Sequence, residues 1–281
     1  MGRRRFDASD AADLVYNEAA SLRYVTPGAQ RVLLHSPTMS SASLPLSLRM
    51  HREPVASDHR LVASLAGEHV ELLASRALLW PARSTLFVAD VHLGKAAAFR
   101  AGGVPVPRGA TQADLARLGS LVASTGARRL VVLGDFLHAA AGRVPALDRA
   151  FLEWRTQHAA LEILLVRGNH DAHAGDPPSS WEIGVVAEPH ALSPFLACHR
   201  PCVPPSGFAL CGHVHPGVWI SGEARESARL PCFVLGDRSA LLPAFGSFTG
   251  MATVTPGSGE TIVVIAGRRL FRLPRAVRDG S

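Results

Sequence analysis

The chain has 281 residues, of which 47% are hydrophobic, 19% charged and 6% aromatic; that is enough apolar chain for a sizeable core, and it excludes a disordered or collagen-like polymer. No apolar run approaches the roughly 18 uncharged residues of a membrane-spanning helix, and four cysteines do not make a disulfide scaffold. The net charge of +6 resides at the ends: residues 1–55 hold 7 basic and 5 acidic groups, residues 268–281 hold 5 and 1, and the middle is balanced, so charge alone does not single out nucleic acid as a partner.

The opening Arg3-Arg4-Arg5 is followed by Asp7, Asp10 and Asp13 rather than by an apolar segment, which argues against an export signal and for a cytoplasmic protein with reduced thiols. Residues 1–55 carry one helical pattern, over 11–22, and then a Ser/Pro-rich stretch, and read as a flexible arm. Residues 56–273 read as one domain of strands alternating with helices, and 274–281 as a basic tail. Short strands are expected at 70–73 and 77–80. The apolar run 84–89 reads as a buried strand ending at Asp90. A helix over 111–123 has Thr111 as N-cap, Asp114 in its first turn and Leu115, Leu118, Leu121 and Val122 on one face. A strand at 130–133 ends at Gly134-Asp135. A helix over 146–158 places Trp154 at helical spacing from Ala150 and His158, where it suits core or interface packing. A strand at 161–166 ends at Arg167-Gly168-Asn169-His170-Asp171, and one at 208–211 ends at Gly212-His213-Val214-His215. Strands at 232–235, 252–255 and 261–266 lack intervening helices and read as antiparallel.

Four apolar strands thus end in Asp, Asn or His. In α/β sheets ligands bind beyond the carboxyl ends of strands, so these ends are where a site is expected. The set is Asp90-Val91-His92, Gly134-Asp135, Gly168-Asn169-His170-Asp171, Cys198-His199 and Gly212-His213-Val214-His215. Mixed imidazole and carboxylate ligands suit Mn, Fe, Zn or Ni. Cys198-His199-Arg200-Pro201-Cys202 has the spacing of half a zinc site, but no second pair at ligand spacing follows it.

These motifs, in this order, resemble the calcineurin-like metallophosphoesterase superfamily. Residues 89–100, Gly103-Val104-Pro105-Val106-Pro107, Gly134-Asp135-Phe136-Leu137-His138 and residues 242–250 narrow the resemblance to the ligase-associated DNA-damage-response endonuclease family, over about residues 60–273. The resemblance implies a four-layer αββα sandwich and two divalent metal ions, Mn2+ first among the candidates. It implies Asp90, His92 and His215 on one ion, Asn169, His199 and His213 on the other, and Asp135 shared between them. His170 is then the general acid, and Asp171 orients a histidine or closes the turn. Many superfamily members carry an acid where this chain has His138, which leaves open what supports the catalytic histidine and makes His138 a candidate phosphate contact. The implied activity is a DNA phosphodiesterase working beside a DNA ligase and a helicase.

Other readings stay open on sequence. The balanced middle region also suits a small-molecule phosphatase or cyclic-nucleotide phosphodiesterase, and the two ends suit docking segments of a repair scaffold. Lys95 and Arg100 are candidates for binding a phosphodiester or for a solvated loop. Arg167, just before Gly168, suits either a position facing the site or a structural ion pair. His190 competes with His199. The basic-apolar run 268–278 suits either a nucleic-acid backbone or a tail after the last strand. His35, His51, His59, His69, His158 and His173 have no partner pattern and read as surface residues.

Overall fold

The computed structural model describes residues 59–273 apart from 223–226 and 258, together with two short strands, β1 (Leu22–Tyr24) and β2 (Val32–Leu33). The helix expected over 11–22 lies outside the described residues except at Leu22, which begins β1. His35, His51 and the tail 274–281 also lie outside them.

The first sheet begins with a meander: β3 (Arg60–Leu65), β4 (Glu68–Leu73), β5 (Ala77–Trp80) and β6 (Thr85–Val88), all antiparallel. Ala66 and Gly67 join β3 to β4 with φ of 51° and 80°, as a two-residue hairpin turn requires. After β6 come α1 (Lys95–Ala101), α2 (Ala110–Thr125), β7 (Arg129–Leu133), α3 (Pro145–Gln157), β8 (Glu162–Val166), α4 (Asn169–Ala174) and β9 (Ile183–Val186). Strands β6 to β9 are parallel neighbours. The helix read as starting at Thr111 instead begins at Ala110 behind Gly109, whose φ of 107° supplies the turn with no side-chain cap. Asp114 is therefore not a first-turn charge: it is buried, and its carboxylate accepts the Ser247 backbone N–H and pairs with Arg117. Helix α3 starts one residue earlier than expected, with Pro145 in its first turn, where the missing N–H costs nothing.

The second sheet contains β10 (His190–Leu192), β11 (Phe195–Ala197), β12 (Phe208–Cys211), β13 (Pro216–Gly222), β14 (Ser227–Leu235), β15 (Ser239–Leu241), β16 (Ala252–Thr253), β17 (Thr261–Ala266) and β18 (Arg269–Arg272). Its main path runs β10-β11-β12-β15-β14-β13-β1-β2, with β17 and β18 branching from β14. Strands β14 and β17 pair antiparallel as expected, and an unexpected strand, β18, pairs antiparallel with β17; but β16 pairs with β13 in parallel, a register that local pattern does not encode. The first half of the basic-apolar run 268–278 is strand β18.

Leu115, Leu118 and Leu121 of α2 and Leu147, Phe151 and Trp154 of α3 close over the outer face of the first sheet. Trp181 stacks on Phe151 with centroids 4.0 Å apart. Between the two sheets Phe87, Phe195, Phe233, Leu72 and Val263 form a second core, where each fully buried phenylalanine contributes about 1.5–3 kcal/mol. The expected sandwich is thus present as helices, sheet and facing sheet. The cluster on the second sheet's other face, around Val218, Cys232 and Val264, is built from strand and loop residues. Among the described residues no helix is long and apolar enough to cross a membrane.

Candidate active site

The site grows from strand ends. Asp90, Asp135 and Asn169 follow β6, β7 and β8, and the parallel register sets these three ends side by side. From the second sheet, His199 follows β11, and His213 and His215 follow β12. Backbone bonds lock the loops together: the Asp90 N–H donates to Gly134 O at 3.1 Å, the His92 N–H to Asp135 O at 2.8 Å, and the Gly246 N–H to Asp90 O at 3.1 Å. Asp90, His92, Asp135, His213 and His215 have φ of 53°, 51°, 50°, 70° and 51°. Left-handed backbone of this kind costs on the order of 1–3 kcal/mol per residue and persists where the surroundings impose it. Gly134, at φ 77°, lies so close to the His199 ring that a Cβ would stand 2.1 Å from Nδ1.

The hydrogen bonds of the cluster leave several ring lone pairs and a carboxylate oxygen without donors. His199 Nδ1 lies 3.1 Å from Leu133 O; a carbonyl only accepts, so the proton sits on Nδ1 and the Nε2 lone pair is free. That lone pair faces Asn169 Oδ1 at 2.8 Å, His213 Nδ1 at 3.0 Å and Asp135 Oδ1 at 3.5 Å. On the other side His215 Nδ1 donates to Gly250 O at 3.1 Å, which leaves its Nε2 lone pair facing His92 Nε2 at 3.3 Å and Asp90 Oδ1 at 3.4 Å. Asp90 Oδ1 is buried without a hydrogen-bond partner, although such groups are normally satisfied. Two pockets of converging acceptors with too few donors between them fit cations. Asp135 stands between the two: Oδ1 faces the His199 side, and Oδ2 lies 3.8 Å from His92 Nε2. Asp90, His92 and His215 form one compact group and Asp135, His199 and His213 another. The donor set fits divalent metal ions.

Electrostatics agree. Burial pushes His92 well below the ordinary imidazole range, helped by the neighbouring His215 and Lys95 charges, and burial also lowers His213. A protonated ring is penalised there, so lone pairs stay available. Burial raises Asp135, opposed by His199 and by the His170 N–H.

His170 adjoins this cluster, with Nε2 4.0 Å from Asp135 Oδ2 and its backbone N–H donating to Asp135 Oδ1 at 2.8 Å. Its ring is oriented by an unexpected group: Nδ1 donates to the backbone carbonyl of His138 at 2.8 Å. The acid missing from position 138 is thus replaced by main chain. The His138 ring stacks on His170 at 4.8 Å and approaches His92 Nδ1 at 3.2 Å; burial, then the charges of Lys95 and His170, push it down to about 4. Asp171 closes the turn, accepting the Leu137 N–H at 2.8 Å and the Gly168 N–H at 2.9 Å. Arg167 pairs with Asp176 at 2.8 and 2.6 Å. Arg100 donates to the carbonyls of Val106 and Pro107 and braces the loop after α1. His190 lies on β10 opposite Ala197. Of the histidines read as surface residues, His69 and His173 are exposed; His59 is exposed too, and its Nδ1 accepts the Leu270 N–H at 3.0 Å. His158 is half-buried against Trp154, with ring centroids 4.7 Å apart.

The rim carries residues that sequence reasoning did not pick. Phe99 and Phe248 meet edge to face at 5.5 Å, with Lys95 Nζ 5.8 and 6.0 Å from their centroids, and Phe99 lies 6.1 Å from His138. Both phenylalanines lie in the segments that carried the family resemblance; what no single segment reveals is that 149 residues of separation close to a contact.

No family model and no curated protein matches the sequence. Among solved structures, the crystal structure of the Pseudomonas putida nuclease MPE is 43% identical, with a TM-score of 0.66 over 76% of this chain and 100% of that one. The chain belongs to the metallophosphoesterase family of that nuclease. As a member it is a metal-dependent phosphodiesterase with the calcineurin-like phosphoesterase fold. YfcE, a phosphoesterase from E. coli, matches at 18% identity and a TM-score of 0.34, over 67% of this chain and 97% of that one, too slight a likeness to carry weight. The histidine and aspartate clusters of this metallophosphoesterase are suited to a divalent-metal site.

Proposed function

We propose that this metallophosphoesterase is a DNA nuclease with two Mn2+ ions, and that residues 56–273 form its catalytic unit. The observation that carries the reading is the Asp135 carboxylate, whose two oxygens face two separate sets of imidazole and carboxylate lone pairs. Asp90, His92 and His215 would hold one ion, Asn169, His199 and His213 the other, and Asp135 would contribute to both. When bound, a pair of divalent ions supplies Lewis acidity to a phosphoryl group and acidifies water.

The chain's own groups do the rest. His170 holds a proton on Nε2 for the leaving oxygen, with Nδ1 fixed by the His138 carbonyl. The His138 imidazole, neutral at pH 7, offers a hydrogen bond to a phosphate oxygen. Lys95 supplies positive charge at the rim, and the Phe99–Phe248 pair beside it offers a face on which a base stacks, a contact worth about 1–3 kcal/mol per base. The hollow lined by His92, Lys95, Asp114 and Phe248 has a volume of about 10 Å³, room for about one water. Activity beside a DNA ligase and a helicase in cytoplasmic DNA repair is the setting that the motif resemblance supports.

The test compares bis-p-nitrophenyl phosphate with p-nitrophenyl phosphate in Mn2+, with supercoiled plasmid alongside and Asp135→Ala as control. Diester preference and plasmid nicking, both lost in the variant, are the expected result. Failure on plasmid, oligonucleotide and small diester alike overturns the reading.

A further inference from the structure

Three of the four cysteines converge in a group of their own that contains none of the site histidines, although Cys198 directly precedes His199. Cys198 follows β11, Cys211 ends β12, and Cys202 lies in the loop between those strands. Their sulfurs all lie within 4.8 Å of one another, and Cys198 Sγ and Cys202 Sγ are 3.3 Å apart. Sequence spacing showed only the Cys198–Cys202 half. The third thiol is supplied by strand pairing, since β11 and β12 are parallel neighbours and the Cys198 N–H donates to Leu210 O at 2.9 Å.

We propose that Cys198, Cys202 and Cys211 bind one thiophilic metal ion of the zinc class, separate from the catalytic pair. Zinc–thiolate bonds of about 2.3 Å at tetrahedral angles set sulfurs about 3.8 Å apart, which lies between the 3.3 Å seen for one pair and the 4.8 Å bound on all three. Cys198 and Cys211 are 2% and 0% exposed, while Cys202 reaches solvent, so a path of entry exists. That path is a groove of about 500 Å³ lined by Cys198, Cys202, Glu188, Leu196 and Val203. It leaves the fourth coordination position to water or to Glu188, whose Oε2 already accepts the His199 and Arg200 N–H groups at 2.7 and 2.8 Å. An ion here would tie the loop 200–207 to the ends of β11 and β12, one residue from His199.

The catalytic cluster contains no sulfur, so a thiolate-to-metal charge-transfer band reports on this site alone. The full-length protein is loaded with Mn2+ under a phosphine reductant and titrated with Co2+. The expected result is a near-ultraviolet band that saturates at one Co2+ per chain, is abolished by one equivalent of Zn2+, and falls by at least a third in Cys202→Ser. The absence of a band overturns the proposal, as does a band unchanged in Cys202→Ser. Peptide mapping that finds Cys198 and Cys202 joined as a disulfide under these conditions also overturns it.

Discussion

Gly168→Ala tests the geometry of the shared carboxylate with one added methyl group. Backbone angles do not object, because Gly168 sits at φ −90° and ψ 176°, which alanine adopts freely. Space does: a Cβ there would stand 2.3 Å from Asp135 Oδ1 and 2.4 Å from the Asp135 backbone nitrogen. Relief requires a displacement on the order of 1 Å, and one contact is main chain in a close-packed interior. Overpacking of this kind costs about 1–3 kcal/mol, or about 2–12 °C in Tm at about 2–4 °C per kcal/mol. Moving a catalytic carboxylate by about 1 Å costs about 10²-fold in rate. The comparison variant is Gly126→Ala at the end of α2, where φ is 66° and nothing lies within 4 Å of a Cβ; it loses about 1 kcal/mol to backbone strain and keeps its rate. Activity on bis-p-nitrophenyl phosphate, tightly bound Mn per chain and Tm are measured on both. A Gly168→Ala enzyme within threefold of the parent rate and with full metal content would refute the claim that Asp135 is held in one working position.

Other expectations follow from the same geometry. Asp135→Asn halves the charge available to both ions and should lower bound metal below two per chain by elemental analysis, with at least a 10³-fold loss of rate. His170→Gln should slow DNA cleavage by about 10²–10⁴-fold and slow bis-p-nitrophenyl phosphate much less, because p-nitrophenolate leaves without a proton; equal losses would count against His170 as the acid. His138 is held at about 4 in the fold against about 6.5 unfolded, so the unfolded chain binds the extra proton between these values. The neutral ring's contribution to the metal-free protein's stability is complete above pH 6.5 and is lost as pH falls through about 4; urea midpoints against pH should show that slope, flattened in His138→Asn. Asp114→Ala strands the Ser247 N–H and should cost about 1–3 kcal/mol by chemical denaturation.

The strand ends and the chemistry placed on them are encoded locally, in short stretches of residues. Leu86, Val131 and Leu165 belong to short apolar runs, each bounded by turn residues or polar groups, because strands buried on both faces of a parallel sheet cannot tolerate anything else. The polar residues after them were legible for the same reason. Strands β3, β10, β11 and β13 were not, since their apolar character is weak or begins with proline and is completed by pairing partners far away in sequence. Helix α1 was missed because Ala96, Ala97 and Ala98 carry no amphipathic pattern. Which atoms meet depends on the folded arrangement. That His138 supports His170 through its carbonyl, that Phe99 finds Phe248, and that Cys211 joins Cys198 and Cys202 all depend on strand register and loop closure. Those are long-range choices, settled by burying Phe87, Phe195 and Phe233 between two sheets rather than by any local spacing of residues.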